Sequence, residues 1–128
     1  IPGGEKPFNE GMMSDKLKKG FYLATVAHCM ECHTPMEKGV RQWDSRLGAG
    51  GFQFPGPWGV SVARNITSSK TKGIGAWSDD DIKRAITTGV SKDGSKLKPP
   101  MGYHYYATVT PDDLDAIVAY LRTVPVVE

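Results

Sequence analysis

Cys29-Met30-Glu31-Cys32-His33 is the stretch on which the fold of this chain turns. Two thiols with two residues between them, followed at once by a histidine, make the attachment site of a c-type haem. The spacing suits the chemistry. One turn of chain sets both sulfurs along one edge of the porphyrin for thioether bonds, and the next side chain rises under the iron as a proximal imidazole. Three other readings compete. A zinc site needs a second pair of ligands at regular spacing, and the remaining histidines, His28 and His104, offer none. A thioredoxin-like pair follows a strand in a βαβ pattern, which is absent. A plain disulfide explains the cysteines and leaves the histidine unexplained.

Composition agrees with a chain built around a cofactor. At 128 residues a single domain is expected over 1–128, with one core. Yet 15 Gly and 9 Pro imply much irregular chain, and an apolar fraction of 39% is modest. A haem buries a large apolar surface against which such loops can pack. The net charge of +2, from 16 Lys and Arg against 14 Asp and Glu, is too balanced for a nucleic-acid binder. No apolar run approaches the roughly 18 residues of a membrane span, and Ile1-Pro2-Gly3-Gly4 does not open a signal peptide. Haem is attached to such motifs outside the cytoplasm, so a periplasmic protein is expected. Its export signal would have been removed, or the segment belongs to a longer polypeptide.

Outward from the motif, residues 1–13 show no period and predict an extended arm. A helix is predicted from Ser14 as N-cap with Asp15 in its first turn. Its face would carry Leu17, Phe21, Ala24 and His28, broadened by Leu23, Val26 and Ala27. Gly20 inside it costs about 1 kcal/mol against Ala, so it marks either a close approach of another helix or a tolerated glycine. From Thr34 to Gly75 no period persists. Trp43, Phe52, Phe54 and Trp58 stud a glycine-rich loop expected to wrap the macrocycle, with short strand pairing allowed around Gly51 to Val62.

Ser78 with Asp81 reads as a capping box, followed by Ile82, Ala85 and Ile86 on a buried face and closed by Gly89. Asp79 and Asp80 favour the positive end of that helix, so the acidic triplet is a helix start rather than a metal site. Asp93-Gly94 predicts a turn in a basic loop, Lys92 to Lys98, that leads to Pro99-Pro100-Met101-Gly102. The last helix is predicted from Thr110 as N-cap and Pro111 as first residue. Leu114, Ile117, Val118 and Leu121 share a face, Arg122 complements the negative end, and Pro125 stops it.

A helix before the haem motif, an aromatic-rich loop after it, a late methionine and an amphipathic last helix resemble the small monohaem class I cytochromes c. More narrowly, Cys32-His33-Thr34-Pro35, Arg64-Asn65-Ile66-Thr67, Gly73-Ile74-Gly75-Ala76-Trp77-Ser78, Asp93-Gly94 and Ala119-Tyr120-Leu121-Arg122 are similar to haem domains in cytochrome subunits of bacterial membrane-associated dehydrogenases. Those subunits usually string several haem domains together, whereas this chain has one haem motif. The resemblance implies an all-α, class I cytochrome c fold of about three to five helices, with long loops around one covalent haem c.

It further implies Cys29 and Cys32 as covalent anchors, His33 as proximal ligand and Met101 as distal ligand. The sequence supports Met101 independently. Met30 and Met36 lie too close to the motif to reach the opposite haem face, Met12 and Met13 sit on the arm, and Met101 is held between Pro100 and Gly102. His104 is the rival. Around the propionates the resemblance suggests Asn65, Ile66 and Thr67, with Trp77 as an indole donor and Arg64 as a countercharge. Ordinary core packing is the alternative for Trp77.

With both axial positions filled, the expected activity is one-electron transfer by a monomeric carrier that is not an enzyme. It would link a periplasmic dehydrogenase to a respiratory acceptor and dock on membrane-bound complexes. The alternatives are an open-site haem enzyme for peroxide or a gas, and a haem domain of a larger dehydrogenase. Lys70, Lys72, Lys92, Lys96 and Lys98 are expected either to ring the exposed haem edge or to form an ordinary solvated surface.

Overall fold

Helix α5 (Pro111–Leu121) carries the strongest local instructions and forms as its sequence predicts, in a computed structural model that describes residues 10–128. The Thr110 hydroxyl accepts from the Asp113 N–H at 3.3 Å, and Pro111 occupies the first turn, where its missing N–H costs nothing. Ile117, Val118 and Leu121 bury their side chains with Ile74 and Ile82 in the core. Two details differ from expectation. The helix ends at Leu121, before Pro125, because the Thr123 and Val124 amides turn back to the carbonyls of Tyr120 and Leu121. Arg122 does not serve the helix end. Its guanidinium reaches Asp79 Oδ1 and the Trp77 carbonyl, each at 2.7 Å, and so ties α5 to the start of α3 (Asp79–Thr88).

Helix α1 (Lys16–Val26) packs on α5, and the contact is set by its smallest residues. A Cβ on Gly20 would lie 2.8 Å from the Tyr120 Cβ and overlap the Ala116 carbonyl outright, so only glycine permits this approach. The inward face is therefore Gly20 and Ala24, both buried, while Leu17 and Phe21 stay half exposed. His28 lies beyond the helix end. The cap is Asp15, whose carboxylate accepts from the Lys18 N–H at 3.0 Å, rather than Ser14. The Ser14 hydroxyl donates instead to the Gly11 carbonyl at 2.8 Å. It follows a single 3-10 turn, Glu10–Met13, that occupies the end of the expected arm; residues 1–9 lie outside the described residues.

The long segment after the motif is not shapeless. It holds two antiparallel hairpins, β1 (Met36–Glu37) with β2 (Val40–Arg41), and β3 (Gln53–Gly56) with β4 (Gly59–Val62). The second lies in the region where pairing was allowed, while the first gave no sequence signal. The backbone between them bonds inward: the Gly50 N–H to the His33 carbonyl, the Gly51 N–H to the Ala63 carbonyl, and the Ile66 N–H to the Gly48 carbonyl, all at 2.7–2.8 Å. Of the aromatics in the loop expected to wrap the macrocycle, the two tryptophans face solvent. Trp43 and Trp58 are exposed, the latter donating its indole N–H to the Phe54 carbonyl.

Helix α3 shows the full capping box of Ser78 and Asp81 and ends at Gly89, whose φ of 70° is left-handed. The Tyr103 ring of the short helix α4 (Tyr103–Tyr106) occupies the space a Cβ on Gly89 would need. Among the described residues no helix is long and apolar enough to cross a membrane. The architecture is the all-α one that the resemblance implies: helices around one core, with loops closing a cavity beside it.

Candidate haem site

His28 turns the chain into the site. Its φ of 60° places it in the left-handed region, between the end of α1 and the start of α2 (Cys29–His33), so the motif begins in a new direction. Its ring pairs with Glu31 at 2.8 Å on the surface. Helix α2 presents Cys29, Cys32 and His33 to a cavity of about 400 Å³ whose walls include Ile74, Ile82, Ile86, Leu97 and Leu121. Burial pushes the Cys29 thiol up to about 11. Cys32 is raised as well, again chiefly by burial. A redox dithiol needs the opposite, a depressed pKa, so this environment does not suit disulfide exchange.

The His33 imidazole is fixed by the main chain. Its Nδ1 lies 2.7 Å from the Arg64 carbonyl oxygen, which can only accept. Nδ1 therefore carries the hydrogen and Nε2 keeps the lone pair a metal needs. Burial lowers the His33 pKa, with the Arg64 carbonyl acting the other way, and the neutral ring is the ligating form. Met101 reaches the same cavity, so a thioether, an imidazole and two thiols share an apolar space. That donor set fits a haem.

The remaining predicted residues divide. Arg64, Asn65, Ile66 and Trp77 line the cavity. Thr67 is fully buried and is not among the lining residues. Its hydroxyl donates to Asn65 Oδ1 at 2.6 Å, while Asn65 Nδ2 donates to the Val127 carbonyl at 2.6 Å. Both side chains thus hold the C-terminal residues. His104 is exposed on α4 and stays outside the lining, which separates it from Met101. Of the lysines, Lys72, Lys96 and Lys98 border the cavity, whereas Lys92 donates to the Ala76 carbonyl at 2.9 Å.

Two features escaped the sequence. The Tyr106 hydroxyl donates to the Ala27 carbonyl at 2.9 Å, joining the helix after Met101 to the chain just before the motif, and its ring lines the cavity. A tyrosine in Tyr103-His104-Tyr105-Tyr106 carries no mark that distinguishes it from its neighbours. The Arg64 carbonyl is likewise invisible, because main-chain acceptors have no residue type.

The family model for cytochrome c matches residues 17–125. The chain is 40% identical over 104 residues to the gluconate 2-dehydrogenase cytochrome c subunit of Pantoea cypripedii, covering 81% of this chain and 22% of that protein. It is 36% identical over 107 residues to the fructose dehydrogenase cytochrome subunit of Gluconobacter japonicus, covering 84% and 21%. A diheme cytochrome c-type protein of Cereibacter sphaeroides matches at 33% over 132 residues, covering 100% and 42%. The chain thus spans about a fifth of the length of the dehydrogenase subunits it matches.

Proposed function

Because the chain belongs to the cytochrome c family, whose members transfer electrons and hold haem c covalently, we propose that it is a one-electron carrier ligated by His33 and Met101. The observation that carries this is the meeting of Cys29, Cys32, His33 and Met101 on one apolar cavity. Bound there, haem c supplies the ferric/ferrous couple. Cys29 and Cys32 anchor the group, and His33 offers Nε2 because Arg64 holds Nδ1–H. Met101 would offer a thioether as the second protein ligand to the iron, which would leave no open site for a substrate. The chain is accordingly a carrier rather than an enzyme. A methionine ligand in an apolar pocket favours the reduced form and a higher potential.

With Asn65 and Thr67 engaged by the C-terminal residues, the Trp77 indole would hold the propionates, and Ile66 would form part of the haem-facing wall. We place residues 1–128 in one cytochrome c domain in the periplasm, receiving electrons from a dehydrogenase and passing them to a respiratory acceptor. The relatives named as cytochrome subunits of dehydrogenases support such a donor.

Absorption spectra of the oxidised and reduced protein test the ligation. The oxidised form is expected to show the weak near-red sulfur-to-iron band, and Met101→Ala to abolish it and lower the potential. An unchanged spectrum in that variant would move the distal ligand elsewhere.

A further inference from the structure

Arg64 stands where the two ligand-bearing segments meet. Its main-chain oxygen accepts from His33 Nδ1 at 2.7 Å. Its guanidinium serves a different part of the chain: Nη1 donates to Ser91 Oγ at 2.9 Å and Nη2, at longer range, to Ser95 Oγ at 3.4 Å. Ser91 is only 2% exposed, so water has almost no access to it, and among the described residues the guanidinium is the donor that reaches its hydroxyl.

These serines belong to a closed turn. The Ser91 N–H donates to the Ser95 carbonyl and the Gly94 N–H to the Ser91 carbonyl, both at 2.9 Å, and the Ser95 N–H donates to Asp93 Oδ1 at 2.9 Å. Beyond the turn, the Leu97 N–H donates to the Gly89 carbonyl at 2.7 Å and the Met101 N–H to the Lys98 carbonyl at 3.2 Å. The turn held by Arg64 therefore leads, along the chain and through these local bonds, into the segment that carries the methionine. On the other side, Gly50 makes room for the Arg64 backbone. A Cβ there would lie 2.5 Å from the Arg64 carbonyl carbon, and the Gly50 N–H itself donates to the His33 carbonyl at 2.7 Å.

We propose that Arg64 is a positioning residue that clamps the two axial-ligand segments together. Its carbonyl sets the His33 tautomer, and its guanidinium holds the 91–95 turn from which the Met101 loop departs. This rests on His33 and Met101 being the axial ligands. It differs from the propionate countercharge suggested by family resemblance, for which only the positive charge would matter. A clamp needs the forked donors of Arg, which Lys does not reproduce, and it needs the Ser91 oxygen.

Imidazole binding to the oxidised holoprotein separates the two roles. Imidazole takes the iron only when the methionine leaves, so its apparent affinity follows the fraction of protein with the Met101 loop open. Ser91→Ala and Arg64→Lys are each expected to tighten imidazole binding about tenfold, and the double variant about as much as either alone, because both break one clamp. The near-red band without imidazole and the global unfolding midpoint should change little, which distinguishes loop release from general loss of fold. A band-bearing wild type whose Ser91→Ala and Arg64→Lys variants bind imidazole no tighter would overturn the clamp alone. A wild type lacking the near-red band would overturn the Met101 ligation itself, and the clamp with it.

Discussion

Gly20 of α1 lies directly against the Ala116 carbonyl of α5, with no room between them for a single carbon atom. The two helices flanking the core touch here through backbone. Gly20→Ala is therefore a test with two opposing terms. Helix propensity favours alanine by about 1 kcal/mol. Overpacking against a backbone that cannot rotate away costs about 1–3 kcal/mol or more. Because the overlap is with the backbone of Ala116, the upper end of that range applies and the steric term wins, so net destabilisation of about 2 kcal/mol is expected from denaturant unfolding of the holoprotein. A stabilised variant would show that the helices do not approach this closely.

Cys29→Ala with Cys32→Ala removes the covalent hold on the group that fills the cavity. An apolar cavity costs about 24 cal/mol per Å³, so an emptied space of about 400 Å³ corresponds to an upper bound of ~10 kcal/mol. That rivals the whole stability of a domain of this size. The double variant is expected to lack cooperative thermal unfolding and to lose its haem colour on a denaturing gel. A cooperative transition near that of the wild type would mean that the loops pack without the cofactor.

The helix caps and the last amphipathic helix were legible in the sequence because they are local: Ser78 with Asp81, and Thr110 with Pro111, need only neighbours within one turn. Gly20 was legible as an anomaly, its partner not. What stayed hidden depends on contacts across the fold. The inward face of α1 is decided by the approach at Gly20, which turns Leu17 and Phe21 outward although their spacing suits a core. The motif announced Cys29, Cys32 and His33. The resemblance sets Thr67 near the propionates, whereas no sequence signal announces that its hydroxyl bonds Asn65 and Val127, which depends on the C-terminal residues passing over it.

Acid should weaken the fold through its caps. The hydrogen bond from the Ser78 backbone, then that from its hydroxyl, hold the Asp81 pKa below the usual carboxylate value. Asp115 is held down chiefly by its hydrogen bond to Lys83, a contact that links α3 to α5. A depressed folded-state pKa contributes stability that is fully present above the unfolded value of about 3.9 and is lost as pH falls through the lower folded value. Asp81→Asn is therefore expected to be less stable than wild type at neutral pH, with the gap closing below about pH 3.9. A gap that stays constant as pH falls would show that the ionised carboxylate contributes nothing.

Lys72, Lys96 and Lys98 border the cavity mouth, with Lys96 Nζ standing 5.3 Å from the Tyr103 ring centroid. Positive charge at the edge through which an electron would leave favours a partner presenting an acidic patch, through the small and weak interface of an electron-transfer encounter. Such steering acts on the association rate and is screened over about 10 Å at ~0.1 M salt. The bimolecular rate of electron transfer with the physiological partner is expected to fall as salt rises. Lys96→Glu with Lys98→Glu should flatten or invert that dependence while leaving the haem spectrum unchanged, since neither side chain is among the proposed axial ligands. A wild-type rate that is independent of salt, or rises with it, would place the docking surface on an uncharged or acidic face of the molecule.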